Sequence, residues 1–364
     1  MMNGSGNNKI VFLIGNLQRH GAEKVITLLA EHFCEEGWAV DILTLLDGKR
    51  DFTLSHRIRH IPVCRPNRGY AANILFWIRG IRRYMRAERP QAVVSFVARI
   101  NLLAIIACLG LKKRIVVSER NDPSADGRSF LIKLATHVLY GLADCVVFQT
   151  KWARSCFPSG ITAKGIVIPN PVQVTAHASE PTQGKIAAVG RLEPQKNHCL
   201  LLEAFATIKT RHPQSVLHLY GDGSLRETIT SRATALHIAD SVVLPGSVDN
   251  VHERIADAAM FVLPSDYEGL SNALLEALTM GLPCISTQCA GSNEVIRDGV
   301  NGLLVPVRNK ERLAEAMERL IADRELAMRL GAKAAQLSGA YCCETVLRQW
   351  EAAITGSPKE ASAL

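Results

Sequence analysis

Residues 265–276 read Ser-Asp-Tyr-Glu-Gly-Leu-Ser-Asn-Ala-Leu-Leu-Glu, which sets Glu268 and Glu276 eight positions apart. An apolar run ends just before this stretch and a helical pattern begins at about Ser271, so one carboxylate sits in a loop and the other on a helix. After Gly269, the backbone N–H groups of Leu270, Ser271 and Asn272 would open that helix, and a helix N-terminus is a ready site for an anion. A diphosphate placed there would have a carboxylate on either side to bind sugar hydroxyls. The alternative is a solvated loop Glu beside a helix-surface Glu. Against it, Glu276 lies in the run Ala273–Leu278, where a buried charge requires a partner.

A second cluster, Gly190-Arg191-Leu192-Glu193-Pro194-Gln195-Lys196-Asn197, directly follows a strand-length apolar run. Arg191 and Lys196 could converge on one diphosphate, the first as a planar fork and the second as a point charge. An exposed basic turn is the plainer reading. Gly221-Asp222-Gly223 follows another apolar run, and its glycines would let a ligand approach the backbone closely. In the first half, the turn Gly15–Glu23, containing Gly21, joins a strand pattern to a helical one. The run Ser118-Glu119-Arg120-Asn121-Asp122-Pro123 follows a further strand and reads either as a site cluster with Glu119 or as a helix-capping turn. No G-x-G-x-x-G, G-x-x-x-x-G-K-[ST] or D-x-D occurs, so nicotinamide, P-loop and aspartate-clamped metal chemistry have no carrier.

Elements that position these clusters follow from periodicity. Ile10–Ile14, Ala39–Leu45, Ala92–Phe96, Ile115–Ser118, Cys145–Phe148 and Gly165–Ile168 are strand-length apolar runs separated by helical patterns. The alternation breaks at Ile168-Pro169-Asn170-Pro171 and a polar stretch to about Gly184, read as a linker. It resumes with strands at Lys185–Val189, Val216–Tyr220, Val242–Leu244, Phe261–Leu263, Pro283–Ser286 and Gly302–Val305. Strands interleaved with helices imply parallel sheets covered on both faces, so the fold class is α/β with two doubly wound halves. Their boundaries are expected at residues 1–170 and 171–340, with a last helix at about 341–354 returning to the first half. Ligands bind at the carboxyl edges of such sheets, and a cleft between the two edges is expected.

These pieces together resemble retaining glycosyltransferases of family 4, the GT-B architecture. The resemblance rests on Gly21-Ala22-Glu23, Ile168-Pro169-Asn170, Val189 through Asn197, Tyr220 through Gly223, and Glu268 through Glu276 with Gly281-Leu282-Pro283. It spans about residues 9–307 and is stronger in the second half. It implies that Arg191 and Lys196 hold the donor diphosphate, that Glu268 contacts sugar hydroxyls near the reacting centre, and that Glu276 binds the ribose. Gly21 would let the first domain approach the phosphates. Many members carry a His where Glu119 stands, and Ser118–Pro123 resembles the subgroup that assembles bacterial exopolysaccharide and lipid-linked glycans. The activity implied is transfer of a hexose or N-acetylhexosamine from a UDP-sugar to a polyprenyl-diphosphate-linked acceptor, with no metal or other cofactor. The candidate catalytic residues are Glu268 and Glu119. A nucleotide-sugar 2-epimerase on the same architecture and a non-catalytic membrane partner are the rival readings.

Charge adds a surface to this picture. The chain carries a net charge of +8, yet residues 1–170 hold 24 Lys and Arg against 12 Asp and Glu, while the remainder holds 18 against 22. A basic half points to an anionic partner. Residues 71–89 combine Ile74, Phe76, Trp77, Ile78 and Ile81 with Arg79, Arg82, Arg83 and Arg86, a basic amphipathic helix of the kind that lies in an anionic lipid interface, or else a sheet-covering helix whose apolar face is core. Ten cysteines without a C-x-x-C pair suit a reducing cytosol. The longest uncharged apolar stretch, 102–111, is about half of what a spanning helix needs. A cytoplasmic enzyme, peripheral on the inner membrane, is therefore expected. With aromatics at 5%, a stacking platform for nucleic acid is not.

Overall fold

Runs such as KIVFLI, AVVSF and CVVF have no polar alternation, so they form strands only where both faces of the sheet are covered. A computed structural model describes residues 8–18, 21–46, 51–63 and 70–356. Arg19 and His20 of the first glycine turn lie outside these residues. Two units of contiguous packing are present, residues 1–171 with 344–364, and residues 172–343.

Unit 1 holds a seven-stranded parallel sheet of β1 (Lys9–Ile14), β2 (Ala39–Thr44), β3 (Arg59–Pro62), β4 (Ala92–Phe96), β5 (Arg114–Glu119), β6 (Cys145–Phe148) and β7 (Gly165–Val167), in the order β3-β2-β1-β4-β5-β6-β7. The strand order reverses between β1 and β4. Its helices are α1 (Gly21–Glu35), α2 (Tyr70–Glu88), α3 (Ala98–Cys108), α4 (Phe130–Leu139), α5 (Lys151–Ser155) and α6 (Ser159–Thr162). Short, polar β3 is not legible as a strand in the sequence. It is fastened by Arg59, whose Nε and Nη2 donate to the two Asp41 oxygens at 2.8 and 2.7 Å. Burial works against ionisation of Asp41, but hydrogen bonds from Arg59, Lys9 and Tyr84 outweigh it and lower its pKa to about 2.

Unit 2 repeats the plan with β8 (Thr182–Val189), β9 (Val216–Tyr220), β10 (Val242–Gly246), β11 (Ala258–Leu263), β12 (Cys284–Thr287) and β13 (Leu303–Val305), ordered β10-β9-β8-β11-β12-β13. Here the reversal falls between β8 and β11. Helices α7 (His198–Lys209), α8 (Arg226–Ala235), α9 (Val251–Ile255), α10 (Asn272–Met280), α11 (Ala290–Val295), α12 (Lys310–Ala322), α13 (Arg324–Ala335) and α14 (Ser338–Tyr341) belong to it. The polar stretch after Pro171, which reads as a linker, instead runs along this unit. Val172 bridges Cys342, Ala178 N–H bonds the Met280 carbonyl, and Ser179 N–H bonds that of Ala256. The last helix, α15 (Cys343–Thr355), is built into unit 1. Val346, Trp350, Ala353 and Ile354 complete its core, and the Trp350 ring stacks on Phe96 at 5.4 Å.

Among the described residues, no helix is long and apolar enough to cross a membrane. The basic helix α2 buries Trp77, Ile81 and Met85 in the core of unit 1. Arg82 bonds the carbonyls of Ala107 and Leu109 at 2.9 and 2.7 Å, closing the C-terminal end of α3. Arg79, Arg83 and Arg86 are exposed.

Candidate functional site

In a doubly wound sheet the loops at the point of reversal diverge and leave a crevice at the strands' carboxyl ends. In unit 2 those loops are residues 190–197 after β8 and 264–271 after β11, the two clusters that stand out in the sequence. They are joined by a ladder of polar contacts. Asp266 N–H bonds the Gln195 carbonyl at 2.9 Å, and Gln195 Nε2 bonds the Tyr267 carbonyl at 2.9 Å. Asn197 Nδ2 donates to Asp266 Oδ1 at 2.8 Å, while Arg308 clamps Asp266 Oδ2 from outside at 2.8 and 2.9 Å. Inside the ladder, Lys196 Nζ pairs with Glu268 Oε1, which also accepts from Ser265 Oγ at 2.7 Å. Glu268 is only 6% exposed, so this ammonium–carboxylate pair is largely withdrawn from water.

The third loop is locked to the first. Leu192 N–H bonds the Asp222 carbonyl, and Glu193 takes both the N–H and the hydroxyl of Ser224, at 3.0 and 2.8 Å. Gly221 has φ +133, and a Cβ there would lie 2.0 Å from the Gly190 carbonyl oxygen. The close approach it permits is therefore one of chain against chain. Gly291 plays the same part on the other side, where a Cβ would meet the Gly269 oxygen at 1.9 Å. Gly291 and Arg308 lie outside both sequence clusters, and nothing local within the clusters says that Asp266 and Asn197 face each other.

Ser271 caps α10, its hydroxyl accepting from the Leu274 N–H, and leaves Gly269 and Leu270 at the mouth of the helix beside Asn272. One turn further, Glu276 is 7% exposed, and His252 of α9 lies beside it, with Nε2 3.2 Å from Glu276 Oε2. The Thr175 N–H donates to His252 Nδ1 at 3.2 Å, which leaves the ring proton on the nitrogen that faces the carboxylate. Arg191 is exposed at the rim. His198, in the first turn of α7, is buried. Desolvation, helped by the nearby Lys196 charge, lowers its pKa to about 4, so it is neutral at pH 7.

In unit 1, Gly21 opens α1 and is exposed. The other loop at the β1/β4 reversal begins with Val97, a β-branched residue held at φ +74. Such a conformation is a genuine outlier, and strain of this kind gathers at functional sites. Glu119 points the other way from the role expected of it. It is 1% exposed, with both oxygens bonded by Arg128 at 2.9 and 3.0 Å and a further bond from the Tyr140 hydroxyl at 3.2 Å. Arg128 also grips Asp126 at 2.6 Å. The carboxylate ties down the loop 120–129 from beneath, so we assign Glu119 to positioning rather than to chemistry. Arg120 is buried over the Phe96 ring at 5.1 Å and bonds Asn170, with its pKa lowered to about 9 by burial.

Comparison with known proteins covers both units. Residues 172–337 match the family model "Glycosyl transferases group 1", and residues 19–176 match "Glycosyltransferase Family 4". An exopolysaccharide phosphotransferase of Streptomyces coelicolor is 35% identical over 264 residues, 70% of this chain but only 27% of that protein. The Campylobacter jejuni alpha-1,4-N-acetyl-D-galactosaminyltransferase named for GalNAc-alpha-(1->4)-GalNAc-alpha-(1->3)-diNAcBac-PP-undecaprenol is 24% identical, covering 94% of this chain and 97% of its own. Among solved structures, Anabaena HepE in complex with UDP and glucose superposes with a TM-score of 0.82 at 18% identity, over 94% of this chain and 98% of its own.

Proposed function

The chain belongs to glycosyltransferase family 4 and is a transferase of the GT-B fold, and from that premise we propose that it moves a hexose or N-acetylhexosamine from a UDP-sugar to a polyprenyl-diphosphate-linked glycan, with retention. The observation that carries this reading is the meeting of Lys196 and Glu268 at the reversal point of unit 2, beside the N-terminus of α10. A cation, a carboxylate and a helix end at one crevice fit a sugar diphosphate better than any neutral ligand. The relatives support donor and acceptor: HepE was solved with UDP and glucose, and the Campylobacter enzyme is named for an undecaprenyl-diphosphate-linked glycan.

In the proposed reaction the bond between the sugar C1 and the β-phosphate oxygen breaks, and charge grows on that phosphate. Lys196, Arg191 and the N–H groups opening α10 stabilise it. The phosphate oxygen accepts the proton of the acceptor hydroxyl, whose oxygen bonds C1 on the face the leaving group vacates. Glu268 holds sugar hydroxyls, and Glu276, oriented by His252, holds the ribose. The scheme requires no metal. The exposed cations of α2, Arg79, Arg83 and Arg86, are candidates for steering the protein to an anionic membrane; Arg82 is occupied at α3.

A panel of UDP-sugars with an isoprenoid-diphosphate-linked acceptor tests this. We expect one donor to give transfer with retained anomeric configuration by NMR, and Glu268→Gln to abolish it. Conversion of the UDP-sugar to its 2-epimer instead would establish the rival reading. Nucleotide release that is indifferent to Glu268→Gln would remove that residue from the mechanism.

A further inference from the structure

Helix α4 packs Leu139 against the core of unit 1 yet carries large apolar residues on its outward face as well. A helix that covers a sheet normally turns apolar residues inward and polar ones to water. Here Thr136 is buried, while Phe130, Leu131, Leu134 and Val138 are 76%, 74%, 52% and 61% exposed. Phe130, Leu134 and Val138 repeat at four-residue spacing and form one stripe, which Leu142, 53% exposed, continues in the following turn. Trp152 of α5, 48% exposed, belongs to the same region, since His137 of α4 bonds the Cys156 carbonyl just beyond α5 and stacks on Phe157 at 5.0 Å. A contiguous apolar patch of this kind on a soluble chain marks an interaction surface.

The helix is firmly held despite its outward apolar face. Tyr140, at its end, is fully buried and receives a hydrogen bond from Asn101 at 2.8 Å. The loop before it is fixed by the Glu119–Arg128–Asp126 ion group. Those pairings also set the charge of the patch. Asp126 is consumed by Arg128, and Asp122 is buried, accepting the Trp152 indole N–H at 3.3 Å. Lys133 on α4 and Lys151 on α5 remain exposed. Bulky apolar side chains, a half-buried Trp and lysines on the same surface are the composition of a helix lying in a lipid interface, with the apolar chains at acyl depth and the ammonium groups at headgroup level.

We infer that the face of α4, extended by Leu142 and Trp152, seats unit 1 on an anionic lipid bilayer, and that α4 rather than the basic helix α2 is the element that enters the interface. Among the described side chains of α2 only Leu75 is a large apolar residue open to solvent, because Trp77, Ile81 and Met85 are core. The exposed arginines of α2 act at a distance, as long-range attraction. The inference deepens the lipid-linked acceptor reading and rests on it for its biological setting, while its physical content, adsorption to lipid, is independent of the donor chemistry.

Flotation of the full chain with phosphatidylcholine vesicles, with and without phosphatidylglycerol, tests it. The triple variant Phe130→Ser, Leu131→Ser, Leu134→Ser is expected to lose binding by at least about tenfold, and Lys133→Glu with Lys151→Glu to lose only the part that depends on phosphatidylglycerol. Arg79→Ser with Arg83→Ser and Arg86→Ser should cost under about threefold. Vesicles should shift the tryptophan emission to the blue, and Trp152→Phe should abolish that shift, since Trp77 and Trp350 are already buried and Trp38 is held against Phe33 in the core of unit 1, away from α4. Two results overturn the inference: flotation of the serine variant equal to that of the parent, or a concentration-dependent dimer that the serine substitutions dissociate while flotation is unchanged. Release of UDP from the donor in the presence of a short, water-soluble isoprenoid-diphosphate-linked acceptor, assayed without vesicles in the same variants, should stay at the parent rate. If the parent itself releases none, the transferase reading fails without touching the lipid result.

Discussion

Replacing Arg128 with Met strands a carboxylate. Glu119 is 1% exposed and draws both of its charged hydrogen bonds from Arg128, and Asp126 loses the same partner. Removing one member of a buried ion pair costs about 3–5 kcal/mol, because the survivor keeps its desolvation penalty. For a unit of this size each kcal/mol moves the midpoint by about 2–4 °C, so the drop in Tm should be roughly 6–20 °C. Glu119→Gln keeps the shape and leaves Arg128 on Asp126, and should cost only about 1–2 kcal/mol. The double variant strands no charge at position 119, so it should be more stable than the sum of the two single effects implies, by about 2 kcal/mol. Thermal unfolding of the four proteins at pH 7.5 gives the cycle, and turnover is measured well below the lowest midpoint. Additivity within about 0.5 kcal/mol would show that the pair does not act as a unit. A loss of more than about a hundredfold in turnover for Glu119→Gln, with Tm unmoved, would return Glu119 to the reaction itself.

Other consequences can be read from the same geometry. Lys196→Ala should lower turnover by about 10²–10³, the usual effect of losing a group that faces a developing oxyanion, with steady-state kinetics as the check. Glu276→Ala should weaken UDP binding by roughly 10–100-fold through lost charged hydrogen bonds; calorimetry that finds the affinity unchanged removes the ribose anchor. Gly291→Ala forces a Cβ to 1.9 Å from the Gly269 oxygen, so the donor loop must shift, and the donor KM should rise together with a fall in Tm. His198 sets a pH dependence. Its folded pKa is lowered to about 4, so the unfolded chain takes up the proton first, and stability falls as the pH drops from about 6.5 towards 4, by up to about 3 kcal/mol. Above pH 6.5 the group has no effect. Urea unfolding at pH 7.5 and 4.5 should show this loss in the parent and a smaller one in His198→Leu.

The fold class is legible because buried parallel strands announce themselves as unbroken apolar runs, and those runs end at glycines and polar clusters. Strand β3 is hidden because an ion pair to Asp41, not apolar content, holds it. Helix α4 is hidden for a related reason: its pattern of apolar residues is clear, yet nothing local says which face is covered, and Thr136 and Leu139 turn inward while Leu131 and Leu134 face out. At the site, residue types gave Lys196 and Glu268 separately, but their pairing across 72 positions is a property of the β8–β11 adjacency. Asp266, Asn197, Arg308 and Gly291 matter only through partners far along the chain, which no spacing rule can see. Glu119 illustrates the converse. A carboxylate at a strand's carboxyl end reads as a site residue, and only the arrival of Arg128 from the following loop turns it into a tether.

The placement of α15 has a consequence for how the protein comes into being on the ribosome. Unit 2 is an unbroken stretch, residues 172–343, whereas unit 1 lacks Val346, Trp350, Ala353 and Ile354 until residues 344–355 have emerged. The half that is translated first is therefore the half that is finished last. Until then Phe96 and its neighbours wait without their Trp350 lid, and the nascent chain carries an open apolar seam while the second half is already able to close. Chaperone occupancy during synthesis should accordingly peak on the first half and end with the last helix, the reverse of the order in which the two halves are encoded.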